Sequence, residues 1–313
     1  AEIVYTLQGV ADDLREDGRA RLDVRPLSLE VGLMPQTSGS AHLRAGAAEV
    51  VVGVVATIST PDPSSPDFGR ITVSVGCGPG AVTAQGLPEY GAGGLSVDDK
   101  RLWLEGALAQ LYGPQSAAKA LRTLCIAPGL QCWELRVHVQ LLRTDGCPLD
   151  AAALAVHAAL HDTCVPKVTV RSNSASLATG GPAAAATLEL DLDESLDDAV
   201  PFASDSLPLY VTLANVDGHL VADCTAKERC AAGSAVSVAL DSTGNMCSVY
   251  AGGGFGLHLS VLASATQAAR GLCMGLHVAA TDAIAQAAVA KQRRGGATTD
   301  DNIGLLCPVA GGG

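Results

Sequence analysis

Two strand pairs that fold back on themselves, one in each half of the chain, constrain the architecture more than any other feature. "AHLRAG" at 41–46 runs through Gly46 into "AEVVVGVVATI" at 48–58, and "LPLYVTLANVDGHLVADCT" at 207–225 doubles back at Asp217-Gly218. Asp-Gly between apolar runs is a strong hairpin signal, because both central residues of the favoured two-residue turn take positive φ. "LSLEVGL" at 27–33, alternating at period two, and "RITVSVG" at 70–76 add strands to the first half. "AVSVALDSTGNMCSVY" at 235–250 adds a second hairpin to the other half. Each half also holds an apolar helix: "LDAAALAVHAALHD" at 149–162, and an Ala-rich segment over 257–292. The second ends in Lys291, Arg293 and Arg294, cations suited to the negative end of a helix. The order of elements predicts an α+β fold, loosely repeated in two lobes.

The segments between these anchors set the boundaries. Residues 1–22 read as an N-terminal arm, polar through "DDLREDGR" with a turn at Gly18, and residues 23–170 as the first lobe. Inside that lobe, "PDPSSPD" at 61–67 and the Gly- and Pro-rich stretch 76–95 read as loops. A helix starts near Ser96, with Asp98 and Asp99 in its first turn, and ends at Gly113-Pro114. The strand pair "TLCIAP" (123–128) and "CWELRVHVQLL" (132–142) then leads to a turn at Asp145-Gly146, and "KVTV" at 167–170 closes the lobe. Residues 171–206 read as an irregular connector with exposed acidic charge in "DLDESLDD", 207–292 as the second lobe and 293–313 as a flexible tail.

Composition narrows the functional classes. Hydrophobic residues make up 48% and charged residues 17%, enough apolar content for a sizeable core. Aromatic residues are only 3%, so that core is built of Ala, Val and Leu, which bury less area per residue and favour completion by partner surfaces. A net charge of −12 argues against a free-standing nucleic-acid binder, since phosphate contacts need clustered Lys and Arg. No run approaches the ~20 uninterrupted apolar residues of a membrane span, and the N-terminal residues lack a signal-peptide pattern, so the reading is intracellular with no membrane partner. Ten cysteines include no CxxC pair, as expected for free thiols in a reducing compartment.

Short motifs add little chemistry of their own. "GCGPG" at 76–80 lacks the helix that a phosphate loop opens into, and Pro79 interrupts it; "GGGFG" at 252–256 reads as a turn. His157 and His161 have a metal-compatible helical spacing. Ala158, however, stands where a metalloprotease places glutamate, so the pair reads as structural. The 191–198 carboxylates read as a solvated face, and no G-x-S-x-G elbow is present.

Six segments in fixed order carry a family resemblance. "REDGRARLDVRPLSLEVG" (15–32) contains R-x-D-G-R and then an Arg-Pro pair, and "TSGSAHLRAG" (37–46) follows. "LRTLCIAP" (121–128), "CWELRVHVQLL", "LDAAALAVHAAL" (149–160) and "LPLYVTL" with "LVADCTAKE" (220–228) complete the series. Together they span most of residues 12–290 and resemble the RNase PH-like subunits of the RNA exosome. That resemblance implies the RNase PH-like, ribosomal protein S5 domain 2-like fold in two lobes. It further implies a six-membered ring of such subunits around a central RNA channel, with S1- and KH-domain cap subunits on one face. A hydrolytic exoribonuclease is fed through the ring, and the setting is the nucleus, including the nucleolus, and the cytoplasm. No cofactor and no metal are implied.

Active relatives hold phosphate on a G-G-[ST]-R turn and use an aspartate in a second segment. Aligned on "AAALAV", the phosphate turn falls on Gly146, Cys147, Pro148 and Leu149, so leucine stands at the arginine position and a bidentate phosphate contact is lost. Leu207-Pro208 matches the trailing pair of the second segment, which puts Ser206 at the aspartate position and Asp205 one place early. The expectation is a catalytically silent subunit, with no catalytic residues and with Leu149 and Ser206 as degenerate positions. Candidate RNA contacts along the channel are Arg44, Lys100, Arg101, Lys119 and Arg122. Two other classes compete: half of a composite phosphorolytic 3'-5' exoribonuclease site completed by a partner, and a stand-alone metal enzyme using His157 and His161.

Overall fold

A computed structural model describes residues 2–78, 97–171, 189–192, 199–253 and 258–295. The first lobe is a six-stranded sheet. Strands β1 (Leu27–Val31), β2 (Gly39–Ala45) and β3 (Ala48–Ser59) form an antiparallel meander, joined to the long β6 (Gln131–Arg143). β4 (Arg70–Cys77) lies parallel to β6 at the sheet edge, and the short β5 (Cys125–Ala127) pairs with the start of β6. The expected hairpin at Gly46 is present, with φ of 58°. Alternation places Val50, Val52 and Val54 of β3, Val73 and Val75 of β4, and Leu135, Val137, Val139 and Leu141 of β6 in one core. Helices α2 (Val97–Leu111) and α3 (Ala118–Arg122) pack their Leu104, Leu108, Leu111 and Leu121 into it.

The second lobe is a four-stranded antiparallel sheet in the order β12 (His219–Ala222), β11 (Leu209–Val216), β13 (Ser234–Leu240), β14 (Met246–Gly253). Asp217 and Gly218, at φ of 48° and 85°, make the turn between β11 and β12, as Asp-Gly demands.

One helix joins the lobes. α4 (Pro148–His161) packs against β2 and β3 on one side and β11 on the other, and Ala152 through Leu160 are all buried. A helix buried all round must be apolar all round, which explains "AAALAVHAAL". Its alanines let both sheets approach closely: a Cβ on Gly39 would stand 2.6 Å from the Ala159 carbonyl oxygen. The long C-terminal helix α6 (Leu259–Gly295) follows the same logic on one stripe, burying Ala265, Ala269, Cys273, His277, Ala280, Ile284 and Ala287. By length and composition alone α6 is apolar enough to cross a membrane. Its buried stripe makes it a helix of this core instead, packed on β1, β11 and β13.

Several segments differ from the sequence reading. Residues 2–11 form a helix, α1 (Glu2–Ala11), that packs against α5 (Ala226–Ala231) and buries Val10. The polar stretch after it is not a solvated arm: Arg15 is buried, because Glu228 awaits its charge on the second lobe. The acidic connector contains strands. β8 (Val168–Arg171) pairs with β9 (Glu189–Leu192), and β10 (Val200–Pro201) with β7 (Cys164–Val165). Helix α5 escaped notice although Thr225 and Glu228 form a reciprocal capping box, a local signature readable three residues apart. The loop expected over 76–95 starts later, since β4 runs to Cys77; residues 79–96, the acidic run at 193–198 and the tail from 296 lie outside the described residues.

Candidate functional site at the lobe junction

Four arginines of the segment 15–25 reach across to the second lobe, Arg21 through its Nη1 at 2.7 Å from His219 Nδ1 and the other three onto Asp223 and Glu228. The Arg15 guanidinium donates to both Glu228 carboxylate oxygens, at 2.8 and 2.6 Å, and to the carbonyls of Ala222 and Asp223 at 3.1 and 3.0 Å. Arg19 donates to Asp17 at 2.8 Å and to Asp223 at 3.0 Å. Arg25 makes a fork on Asp223 through Nε and Nη2, at 2.9 and 2.6 Å, while its Nη1 donates to Asp145. The spacing R-x-D-G-R…R works because Gly18, at φ of 82°, turns the chain and lays all three side chains against Asp223 and Glu228. Burial raises the Glu228 carboxyl, but the bonds from Arg15 and from the Thr225 N–H outweigh it and hold the group below its ordinary range. Burial likewise lowers Arg25, and Asp223 and Asp145 reverse the sign.

The turn ahead of α4 closes onto the same network. Asp145 accepts from the Ala226 N–H at 2.7 Å, and Gly146 takes φ of 61° directly against the backbone of Cys224. Pro148 supplies no N–H at the start of α4, and Leu149 is 3% exposed, packed in the core. In the first turn Asp150 accepts from the Thr212 N–H at 2.7 Å and its hydroxyl at 2.6 Å. Asp145, Asp150, Asp223, Arg25 and Cys147 line a cavity of about 50 Å3 between the lobes. A helix N-terminus ordinarily attracts anions. This one is already faced by three carboxylates, and the nearest guanidinium is held by two of them. The arrangement clamps the lobes together.

Burial pushes the Asp150 carboxyl up to about 7, against the opposing bonds from Thr212. The folded state therefore binds this proton more tightly than the unfolded chain. Its contribution to stability is complete below about pH 4 and is lost as pH rises through 7. Relative to Asp150→Asn, the wild-type chain should lose stability progressively from pH 4 to pH 7.5. Urea midpoints of both proteins across that range check this, and a constant difference would refute the assignment.

The structure does not bring Leu149 and Ser206 together. Ser206 lies in the turn before β11, and its neighbour Asp205 lines a groove with His157 and His161. From Leu149 to His157 is eight residues, about 12 Å along the helix at 1.5 Å each. The carboxylate that meets the 146–149 turn is Asp223, at the end of β12, which sequence reasoning assigned no role. Its signal was present in "LVADCT", where an aspartate is the fifth residue of a hairpin's return, directly after the strand, but nothing local said which arginine it would meet.

The five RNA-contact candidates fall into separate places. Lys119 and Arg122 are exposed on α3, with Arg122 stacked 5.4 Å over the Phe68 ring. Lys100 and Arg101 are half-buried in the first turns of α2, where Arg101 pairs with Glu105 at 3.3 Å. Arg44 is exposed on β2 and pairs with Glu49 at 3.1 Å, with β3 and β6 between it and the β4 edge that α3 adjoins. Arg136 and Arg143, exposed on β6, share the Arg44 face of the sheet and were overlooked. His157 is buried with its Nδ1 lacking a partner, its ring set edge-on to His277 at 5.9 Å, and burial with the neighbouring His277 and His161 pushes it down to about 3. Among the described residues no group of three or more His, Cys, Asp or Glu side chains is placed to hold a metal ion.

Comparison with known proteins gives one consistent picture. The 3' exoribonuclease (RNase PH) family matches in two parts, domain 1 over residues 23–166 and domain 2 over 206–271. The exosome complex component Rrp42 of Methanopyrus kandleri is 30% identical over 250 residues, 78% of this chain and 83% of the relative. That of Pyrococcus furiosus is 28% identical over 255 residues, 81% and 83% of the two chains. A putative exosome complex exonuclease RRP42 of Dictyostelium discoideum is 26% identical over 303 residues, 82% and 88%. Among solved structures, a chain of an archaeal exosome core superposes with a TM-score of 0.66 at 23% identity, covering 90% of this chain and 96% of that one. A chain of the Archaeoglobus fulgidus exosome with RNA bound to the active site superposes equally well at 24% identity, covering 88% and 96%.

Proposed function

Because the chain belongs to the 3' exoribonuclease (RNase PH) family through both of its domains, we propose that it is a non-catalytic structural subunit of the six-membered RNase PH-like ring of an RNA exosome, of the Rrp42 type. In that ring it supports 3'-5' RNA processing and degradation without cleaving RNA itself. Its neighbours are other RNase PH-like subunits; S1- and KH-domain caps and a hydrolytic exoribonuclease complete the assembly, which works in the nucleus, nucleolus and cytoplasm. RNA passes through the central channel, with Arg44, Lys100, Arg101, Lys119 and Arg122 as the side chains available to it.

One observation carries the non-catalytic part. The turn at 146–149, where active relatives hold phosphate, has a buried leucine at the arginine position and is shut by the Arg25–Asp145–Asp223 ion pairs. An incoming phosphate would have to displace those pairs and then face Asp150 and Asp223. The ring part draws support from an aromatic-poor, Ala- and Val-built core, which gains from partner surfaces, and from similarity to exosome components along four-fifths of the chain.

Affinity purification of the tagged full chain from its own cells, followed by native mass measurement and subunit identification, tests the assembly. The expected outcome is a hetero-oligomer containing other RNase PH-like chains and S1-domain proteins. Incubating the purified chain with 3'-tailed RNA and inorganic phosphate tests the silence, and no nucleoside diphosphate should be released. A homo-oligomer that shortens the RNA only when phosphate is present would overturn both parts.

A further inference from the structure

The lobe junction holds a second feature that the ion pairs do not use. Cys147, the residue after Gly146, and Cys224, the residue after Asp223, meet sulfur to sulfur at 3.3 Å, both buried and both thiols. One belongs to the turn before α4 in the first lobe and the other to the loop after β12 in the second. Their close approach has a backbone cause: Gly146 has no Cβ, so the 224–225 backbone presses directly on the turn. Arg25 and the Ala226 N–H, gripping Asp145 and Asp223, hold both flanks in place. Two sulfurs in van der Waals contact on fixed flanks need only a small inward shift to reach bonding distance. Cys147 also lines the cavity between the lobes, whose volume of about 50 Å3 has room for a molecule the size of water or peroxide.

We propose that Cys147 and Cys224 are an oxidation site, forming a reversible disulfide that staples the two lobes when the protein meets a small hydroperoxide. The Cys147 sulfur attacks one peroxide oxygen; the O–O bond breaks, one water leaves, and a sulfenic acid forms. The Cys224 sulfur then attacks that sulfur; the S–S bond forms, the S–O bond breaks, and a second water leaves with the Cys224 proton. Two thiols lose two electrons and two hydrogens, and one hydrogen peroxide becomes two waters. The Cys147 thiol is pushed up by its hydrogen bond with Cys224 and by burial, so little thiolate is present and the first step is slow. The pair therefore records sustained oxidation, while the exposed Cys164 and Cys230 respond first. The crosslink closes a long loop between lobes, which restricts the unfolded chain far more than the folded one.

The test treats the full chain with excess hydrogen peroxide over hours, blocks remaining thiols in denaturant, and maps the peptides. The tryptic peptide that carries Cys147 also carries Cys164, so fragment ions and a Cys164→Ser variant assign the bridge. The expected result is a Cys147–Cys224 linkage lighter by two hydrogens and reversed by dithiothreitol. The Tm should rise by about 5 °C or more over the reduced sample, with no such rise in Cys147→Ala. Recovery of both residues as blocked thiols, or of Cys147 as sulfinic acid beside an intact Cys224 thiol, would overturn the proposal. Mapping of the wild-type chain decides the matter even if the alanine variant does not fold.

Discussion

Replacing Arg15 by leucine should lower the free energy of unfolding by about 3–5 kcal/mol, the range for removing one partner of a buried ion pair. The side chain has no exposed surface, and Glu228, 5% exposed, has no water to turn to. The loss is a matter of stranding: Glu228 keeps its bond from the Thr225 N–H but loses both guanidinium donors, the Ala222 carbonyl loses the Arg15 donor, and the Asp223 carbonyl keeps only the longer bonds from Arg19. The pH dependence should also change sign at this residue. In the wild-type chain Glu228 titrates below its unfolded value of 4.5, so its contribution is present above that pH and lost on acidification. In Arg15→Leu the buried, unpartnered carboxyl moves up, and acidification stabilises the variant as the group takes a proton. Adding Glu228→Gln removes the stranded charge and should restore more than half of the loss. Urea denaturation at pH 3.5, pH 5 and pH 7.5 reads all three effects. A single-variant cost under 1 kcal/mol would mean that the first and second lobes do not depend on this contact.

Gly146→Ala should cost about 3–5 kcal/mol, from left-handed backbone strain added to overpacking against a fixed wall. The added methyl would stand 1.8 Å from the Cys224 carbonyl oxygen and 2.7 Å from its carbon. Those atoms are backbone, pinned by the Arg15 and Arg25 contacts to Asp223 one residue earlier, so the turn must move instead. Gly218→Ala separates the two causes. Gly218 has a similar positive φ of 85° but nothing within 4 Å of a new Cβ, so it bears the strain alone, about 1–2 kcal/mol. The difference between the two variants measures how tightly the 146–149 turn is held against the second lobe. Equal costs would show that the junction is soft and that a ligand could open it.

The site was legible in pieces. R-x-D-G-R, the Arg-Pro pair, the Asp145-Gly146 turn and "LVADCTAKE" were each visible as segments with a family resemblance. Leu149 at the position aligned with the phosphate arginine was visible as well. What could not be read was the pairing. Arg15 meets Glu228 across 213 positions, Arg25 meets Asp223 across 198 and Asp145 across 120. Leu207-Pro208 aligned Ser206 with the aspartate position of the second segment, a correspondence in sequence that says nothing of what Ser206 faces. In three dimensions β11 runs from the far end of α4 toward its first turn, putting Thr212, not Ser206, beside Asp150.

The sequence by itself determined the local structure: the hairpins at Gly46 and Asp217-Gly218, the apolar helix at 149–162, and the two-lobe order of strands and helices. Partners there are a few residues apart, and the turn residue's own φ preference selects them. The sequence missed a helix at 2–11 and strands inside the acidic connector, where polarity masked elements held by packing rather than propensity. Only the tertiary structure decided that a polar N-terminal segment becomes the clamp between lobes. It also decided that Asp223 faces the phosphate turn and that two scattered cysteines touch. Those contacts exist because α4, alanine on every side, lets two sheets close on it from opposite directions. Which side chains then face each other is fixed by how the lobes dock, a quantity that no window of neighbouring residues contains.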